Sequence, residues 1–180
     1  MNNRQRGVGI VEVLVALVVV SLGVLGMASL QLTGMQHSNG GYNRSKALLY
    51  AEDVATRMRS NRVAVGMFLF DGYDSDEEAC AARPTPYCQA SESGPAESCN
   101  VSELAQFDLF TAACGDWGAG GADDGILGSL PNGRLTINCD GVPCQPTSTY
   151  TLNVTWTEGQ RVTSDMNDTI TRRVQMRMKP

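Results

Sequence analysis

From Val8 to Leu32 the chain is apolar or small at nearly every position, and Glu12 is the only charge in the run. A helix of those 25 residues would span about 37 Å at roughly 1.5 Å per residue, enough to cross a bilayer hydrocarbon core of about 30 Å. Beyond Leu32 the sequence turns polar, and Gly40-Gly41 is expected to break or bend the helix before periodicity resumes. Ala47, Ala51, Val54 and Met58 then follow at spacings of 4, 3 and 4, which puts them on one helix face. Arg44, Lys46, Glu52, Asp53, Arg57, Arg59 and Arg62 supply the polar surroundings, read as a solvated face. From about Val63 to Pro131 the chain is rich in Gly, Ser, Ala, Asp and Glu, and regular structure is hard to assign. After that the period becomes two: Leu135, Ile137 and Cys139; then Tyr150, Leu152, Val154 and Trp156; then Ile170, Val174, Met176 and Met178, with Arg172 interrupting the last row. Three strands in an antiparallel meander are expected, with Arg173, Arg177 and Lys179 toward solvent. The predicted architecture is α+β: a long N-terminal helix, whose first half is membrane-spanning and whose second half is amphipathic, packed on a C-terminal antiparallel sheet. The segments are 8–32 for the apolar helix, 33–62 for its amphipathic continuation, 63–131 for the loop region and 132–180 for the strands.

Composition narrows the function. A formal net charge of −5 and a pI near 4.8 do not suit a protein that neutralises nucleic-acid phosphates, so nucleic acid is not an expected partner. His37 is the single histidine and reads as a boundary residue, which leaves most hydrolase and multi-histidine metal templates without their ligands. All six cysteines, Cys80, Cys88, Cys99, Cys114, Cys139 and Cys144, lie in the polar remainder, and none forms a CxxC. An even count so placed points to disulfides in an oxidising compartment. Arg4 and Arg6, just before the apolar run, orient the N-terminus toward the cytoplasm and the rest of the chain outward.

Two features inside the apolar run need a reason. An ionised carboxylate deep in a bilayer costs at least about 2.5 kcal/mol, so Glu12 requires either a partner or a place among the headgroups. Gly23 and Gly26 each weaken a helix by roughly 1 kcal/mol relative to alanine, which suits local unwinding or close helix contact. Conventional secretion, with cleavage after Gly26-Met27-Ala28 and before Ser29, is the plain competitor to a retained helix.

The stretch Arg6-Gly7-Val8-Gly9-Ile10-Val11-Glu12-Val13-Leu14-Val15-Ala16-Leu17 resembles the N-terminal signature of type IV pilins and pseudopilins. In that family a basic leader ends in glycine, a prepilin peptidase cuts before the apolar run, the new N-terminus is methylated, and a glutamate is the fifth mature residue. The resemblance implies a leader of residues 1–7, cleavage between Gly7 and Val8, N-methylation of Val8, and an assembly role for Glu12. Val8 stands where the family usually has phenylalanine. Cleavage removes Arg4 and Arg6 and leaves 12 cationic against 19 anionic side chains, a formal charge of −7. It also implies that Glu12 of one subunit meets the Val8 amine of a neighbour, fixing register because a misaligned helix would strand an unpaired charge. Gly23 and Gly26 take on the meaning of helix flexibility during filament packing. The run Ala51-Glu52-Asp53-Val54-Ala55-Thr56-Arg57-Met58-Arg59-Ser60-Asn61-Arg62 looks like the helix ending of PilV-like minor pilins.

The function so implied is that of a minor pilin, a structural subunit rather than an enzyme, with no cofactor and no metal. It would act in pilus assembly or initiation, with tip presentation a further role. The implied partners are other minor pilins and the major pilin, the prepilin peptidase, the inner-membrane assembly machinery, the membrane itself and a tip adhesin. The chain would be an inner-membrane precursor with a periplasmic C-terminal domain, and would stand on the cell surface after assembly. The alternatives are a minor pseudopilin of type II secretion and a membrane-anchored binding module.

Six cysteines permit fifteen pairings, of which local closure favours Cys80 with Cys88, Cys99 with Cys114, and Cys139 with Cys144. The acidic runs at Asp74-Ser75-Asp76-Glu77-Glu78 and Asp123-Asp124-Gly125 resemble calcium loops only loosely, and solvated turns are the simpler reading. Asn100, Asn153 and Asn167 begin N-x-Ser/Thr triplets, to which no functional weight attaches.

Overall fold

The computed structural model describes residues 9–67, 69–91, 94–118, 121–122, 124–141, 143–145, 147–159 and 169–179. Arg4, Arg6, Gly7, Val8, Asp123, Gln160 and Asn167 lie outside the described residues. The chain divides into two units, Met1–Gly41 and Tyr42–Pro180.

Helix α1 runs Ile10–Ser60 without the break expected at Gly40-Gly41. The glycines cost roughly 1 kcal/mol each against alanine, but neither removes an amide donor, so the hydrogen-bond ladder continues through them. Of the second unit, α1 contributes Ala47, Ala51, Val54 and Met58, all buried as their spacing predicts, together with Ala55. Asn61 stops the helix and caps α2 (Arg62–Gly66), its side chain accepting from the Ala64 amide at 3.3 Å. Strand β1 (Tyr73–Asp74) and a 3-10 turn at Glu77–Cys80 follow; Asp76 caps that turn through the Ala79 amide at 2.9 Å.

Within the region that reads as irregular lies a 14-residue helix, α3 (Val101–Cys114). Its start is a capping box. The Asn100 side-chain oxygen Oδ1 accepts from the backbone amides of Ser102 and Glu103, and the Glu103 carboxylate accepts from the Asn100 backbone amide at 2.8 Å. Gly115, at φ +80°, ends the helix. A two-stranded ribbon of β2 (Trp117–Gly118) and β3 (Gly121–Ala122) precedes α4 (Gly125–Ser129). Gly125 combines φ +62° with a backbone approach that a Cβ would block, at 2.4 Å from the Gly115 nitrogen.

The three expected strands are present as β4 (Arg134–Cys139), β5 (Tyr150–Gly159) and β6 (Thr169–Met178). Together with β1 they form an antiparallel sheet in the order β1-β4-β5-β6, so the meander gains one short edge strand that its two residues made invisible to periodicity. Register places Leu135 opposite Val154, Ile137 opposite Leu152, and Tyr150 opposite Met178. These side chains form one face and share a core with α1, α3 and α4 through Ala51, Met58, Ala105, Leu109 and Ile126. Full burial of each large aliphatic or aromatic member contributes about 1.5–3 kcal/mol. Arg172 interrupts its row because it lies across from Trp156, where Glu158 accepts from both the Trp156 indole at 2.8 Å and Arg172 at 3.2 Å. Arg173, Arg177 and Lys179 are exposed, as expected.

All six cysteines are bonded, as Cys80–Cys114, Cys88–Cys99 and Cys139–Cys144. The last pair follows the expectation from local closure; the pairings Cys80 with Cys88 and Cys99 with Cys114 are overturned. Helix α3 is the reason. Cys99 precedes its N-cap and Cys114 is its last residue, so about 21 Å of helix separates them, far beyond the roughly 7 Å that a disulfide can span. Cys114 meets Cys80 instead, on the 3-10 turn packed against it, with Cα atoms 5.5 Å apart.

Candidate assembly site

The first described turn of α1 begins at Gly9, whose carbonyl accepts from the amides of Glu12 at 3.0 Å and Val13 at 3.3 Å. Glu12 is exposed one turn into the helix, where the positive end of the helix dipole favours a carboxylate. It makes no ion pair among the described residues. Around it every large side chain from Ile10 to Leu32 is exposed, and the helix is long and apolar enough to cross a membrane. Such a surface on all sides has no polar face to turn to water and must be covered by lipid or by other helices. Of the hydroxyls in and just beyond this stretch, Ser21 donates to Val18 O at 2.8 Å and Thr33 to Ser29 O at 3.0 Å, each within the helix. The helix is regular through Gly23 and Gly26, and an added Cβ at either would meet nothing within 4 Å. In the isolated chain these glycines therefore serve no internal contact.

In the second unit, Arg57 was expected on a solvated face and is instead a clamp between helices. Its Nε donates to Asp53 at 2.8 Å, one turn back, while Nη1 donates to Asp108 at 3.1 Å and to the Thr111 hydroxyl at 2.9 Å, both on α3. Burial pushes the Asp108 carboxyl above the usual carboxylate range against the pull of Arg57. Asn61 adds a second tie, donating from Nδ2 to Val101 O at 3.4 Å, and the Tyr50 hydroxyl donates to Ser129 Oγ on α4 at 2.8 Å. Sequence reasoning missed this group because α3 itself was missed. The signal was present as Asn100-x-x-Glu103 before an apolar stretch, a capping-box spacing read only as a glycosylation triplet.

Two aspartates of the first acidic run are occupied structurally, whereas Asp124 of the second makes no side-chain cap hydrogen bond and Asp123 lies outside the described residues. Asp74 is paired bidentately with Arg134 at 2.5 Å, which holds its carboxyl below the usual range, and Asp76 caps the 3-10 turn. Among the described residues no group of three or more His, Cys, Asp or Glu stands where it would hold a metal ion. His37 is exposed.

The family model described as Prokaryotic N-terminal methylation motif matches residues 2–28, and the one described as Type IV pilin Tt1218 matches residues 29–110. The matches abut and jointly cover well over half of the chain, with Glu12 inside the first and the Arg57 clamp inside the second. The chain is a type IV pilin. No curated protein and no solved structure matches it. This pilin belongs to a family of structural subunits, not of enzymes. Its long helix and antiparallel sheet form the family's α+β fold, and the methylation motif with the apolar helix fits a single-pass inner-membrane precursor that is later assembled into a pilus.

Proposed function

We propose that this pilin is a PilV-like minor pilin that takes part in pilus assembly or initiation and contributes to the filament tip. The prepilin peptidase cuts between Gly7 and Val8, Val8 is N-methylated, and the 8–32 helix passes from lipid into a filament core. There Glu12 pairs with the Val8 amine of a neighbouring subunit, a minor or major pilin, and Gly23 and Gly26 give the helix its flexibility. The inner-membrane assembly machinery delivers the subunit, and a tip adhesin is its outermost partner.

The observation that carries this reading is a single exposed carboxylate in the first turn of a helix that is otherwise apolar on every side, within the methylation motif. An unpaired charge in a dry helix bundle is costly, so a partner amine at the matching depth stabilises one register and penalises the rest. The helix ending at 51–62 supports the PilV-like branch. The test is Glu12→Gln, which keeps size and removes charge: leader cleavage should be normal, while recovery of the subunit in sheared filaments falls severalfold or more. Normal recovery in filaments would refute the pairing.

A further inference from the structure

The two edges of the sheet are built differently. Strand β1 is two residues long and is tied to β4 by the Asp74–Arg134 pair, so it offers little edge to another strand. Strand β6 is ten residues long, pairs with β5 along its whole length, and pairs with no strand on its other side among the described residues. An antiparallel edge of that length presents a row of free amides and carbonyls, a template for another strand.

Two observations describe the strand that would fit. On the core side of β6, Val174 and Met176 are only half-buried, whereas Leu152 and Val154 beside them on β5 are fully buried. These two positions are apolar, and no strand among the described residues pairs on their outer flank. On the solvent side the charge has one sign: Arg173, Arg177 and Lys179 lie there, Arg172 interrupts the apolar row on the other face, and residues 169–180 hold no acid. Arg172 and Arg177 are paired with Glu158 and Asp140, but Arg173 and Lys179 make no ion pair among the described residues. Cations on an edge repel basic strands and so select for acidic ones.

We propose that the free edge of β6 accepts, by strand addition, an extended segment of another protein that alternates apolar with acidic residues. Its apolar side chains extend the Val174 and Met176 row, and an acid on the other face lies beside Arg173. This inference goes beyond the minor-pilin reading and does not depend on the subunit's place in a filament.

The test uses the full chain in mild detergent and a fluorescent ten-residue peptide that alternates valine with glutamate and threonine, with a lysine-for-glutamate peptide as control. Binding is read by anisotropy and its position by amide hydrogen exchange. The acidic peptide should bind and slow exchange along Thr169–Met178, the lysine peptide should bind at least tenfold more weakly, and Arg173→Glu should reverse that preference. Val174→Lys, which places a charge in that row, should abolish binding of the acidic peptide. Failure of the acidic peptide to bind, binding without protection of β6, or equal binding of both peptides would overturn the proposal. So would β6 protection that rises with protein concentration in the absence of peptide, which would assign the edge to a second copy.

Discussion

Arg57 and Asp108 show how one cation changes what a half-buried carboxylate costs. Burial raises the Asp108 carboxyl, so the folded state takes up a proton between the ordinary carboxylate value and the raised one, and stability falls as pH rises through that window. Arg57 limits this loss by supplying a hydrogen bond and a charge. Arg57→Ala should therefore cost about 1–3 kcal/mol at pH 7, and less near pH 4, where a protonated Asp108 needs no cation. Urea unfolding at the two pH values checks this; an equal loss at both would contradict the electrostatic account. Tyr73 acts at the other end of the scale. Burial, and then Asp76 and Asp74, push its phenol up to about 12. The folded state holds that proton while the unfolded chain releases it near pH 10, so stability should decline from pH 10 upward by as much as about 1.4 kcal/mol per pH unit from this group. Tyr73→Phe should flatten the decline by that share, and an unchanged slope would show that another group dominates.

Among the elements, those with long, unbroken periodicity were legible. The 3.6-residue spacing of Ala47, Ala51, Val54 and Met58 and the alternation in the last 50 residues led directly to the observed core face and meander. Helix α3 was not found, because its stripe of Ala105, Phe107, Leu109, Phe110, Ala112 and Ala113 is nearly continuous and carries weak amphipathic contrast. Its start was written in Asn100 and Glu103. Missing α3 also misassigned two disulfides and left Arg57 without its partners, so one local omission propagated into the tertiary reading. Strand β1 escaped for a different reason: two residues carry no period, and only pairing with Thr136 and Ile137 defines them. For the site, the position of Glu12 in the apolar helix was plain from sequence, whereas the amine it is proposed to meet belongs to another subunit. The Cys80–Cys114 bridge closes 34 residues and anchors the C-terminal end of α3, so in a chain-entropy account it contributes about 4 kcal/mol, against about 2 for Cys139–Cys144 with its separation of 5. Paired Cys80→Ala and Cys114→Ala substitutions should lower stability more than removal of the Cys139–Cys144 bridge in thermal or urea unfolding; the reverse order would contradict the anchoring role.

Taken whole, the molecule puts two kinds of surface on one chain. The first unit offers an apolar helix that water does not suit, and the second offers a disulfide-bonded α+β unit with its own core. In the proposed pathway, processing connects the membrane-inserted form to an assembled one: a cut before Val8 would remove two cations and create the amine that Glu12 is proposed to meet. Mass spectrometry of the N-terminal peptide, from chain recovered in sheared filaments of cells with an active prepilin peptidase, tests this most directly. The account predicts a peptide that begins at Val8 and carries a single methyl group on its α-nitrogen; a peptide that begins at Met1 or at Ser29 would contradict it.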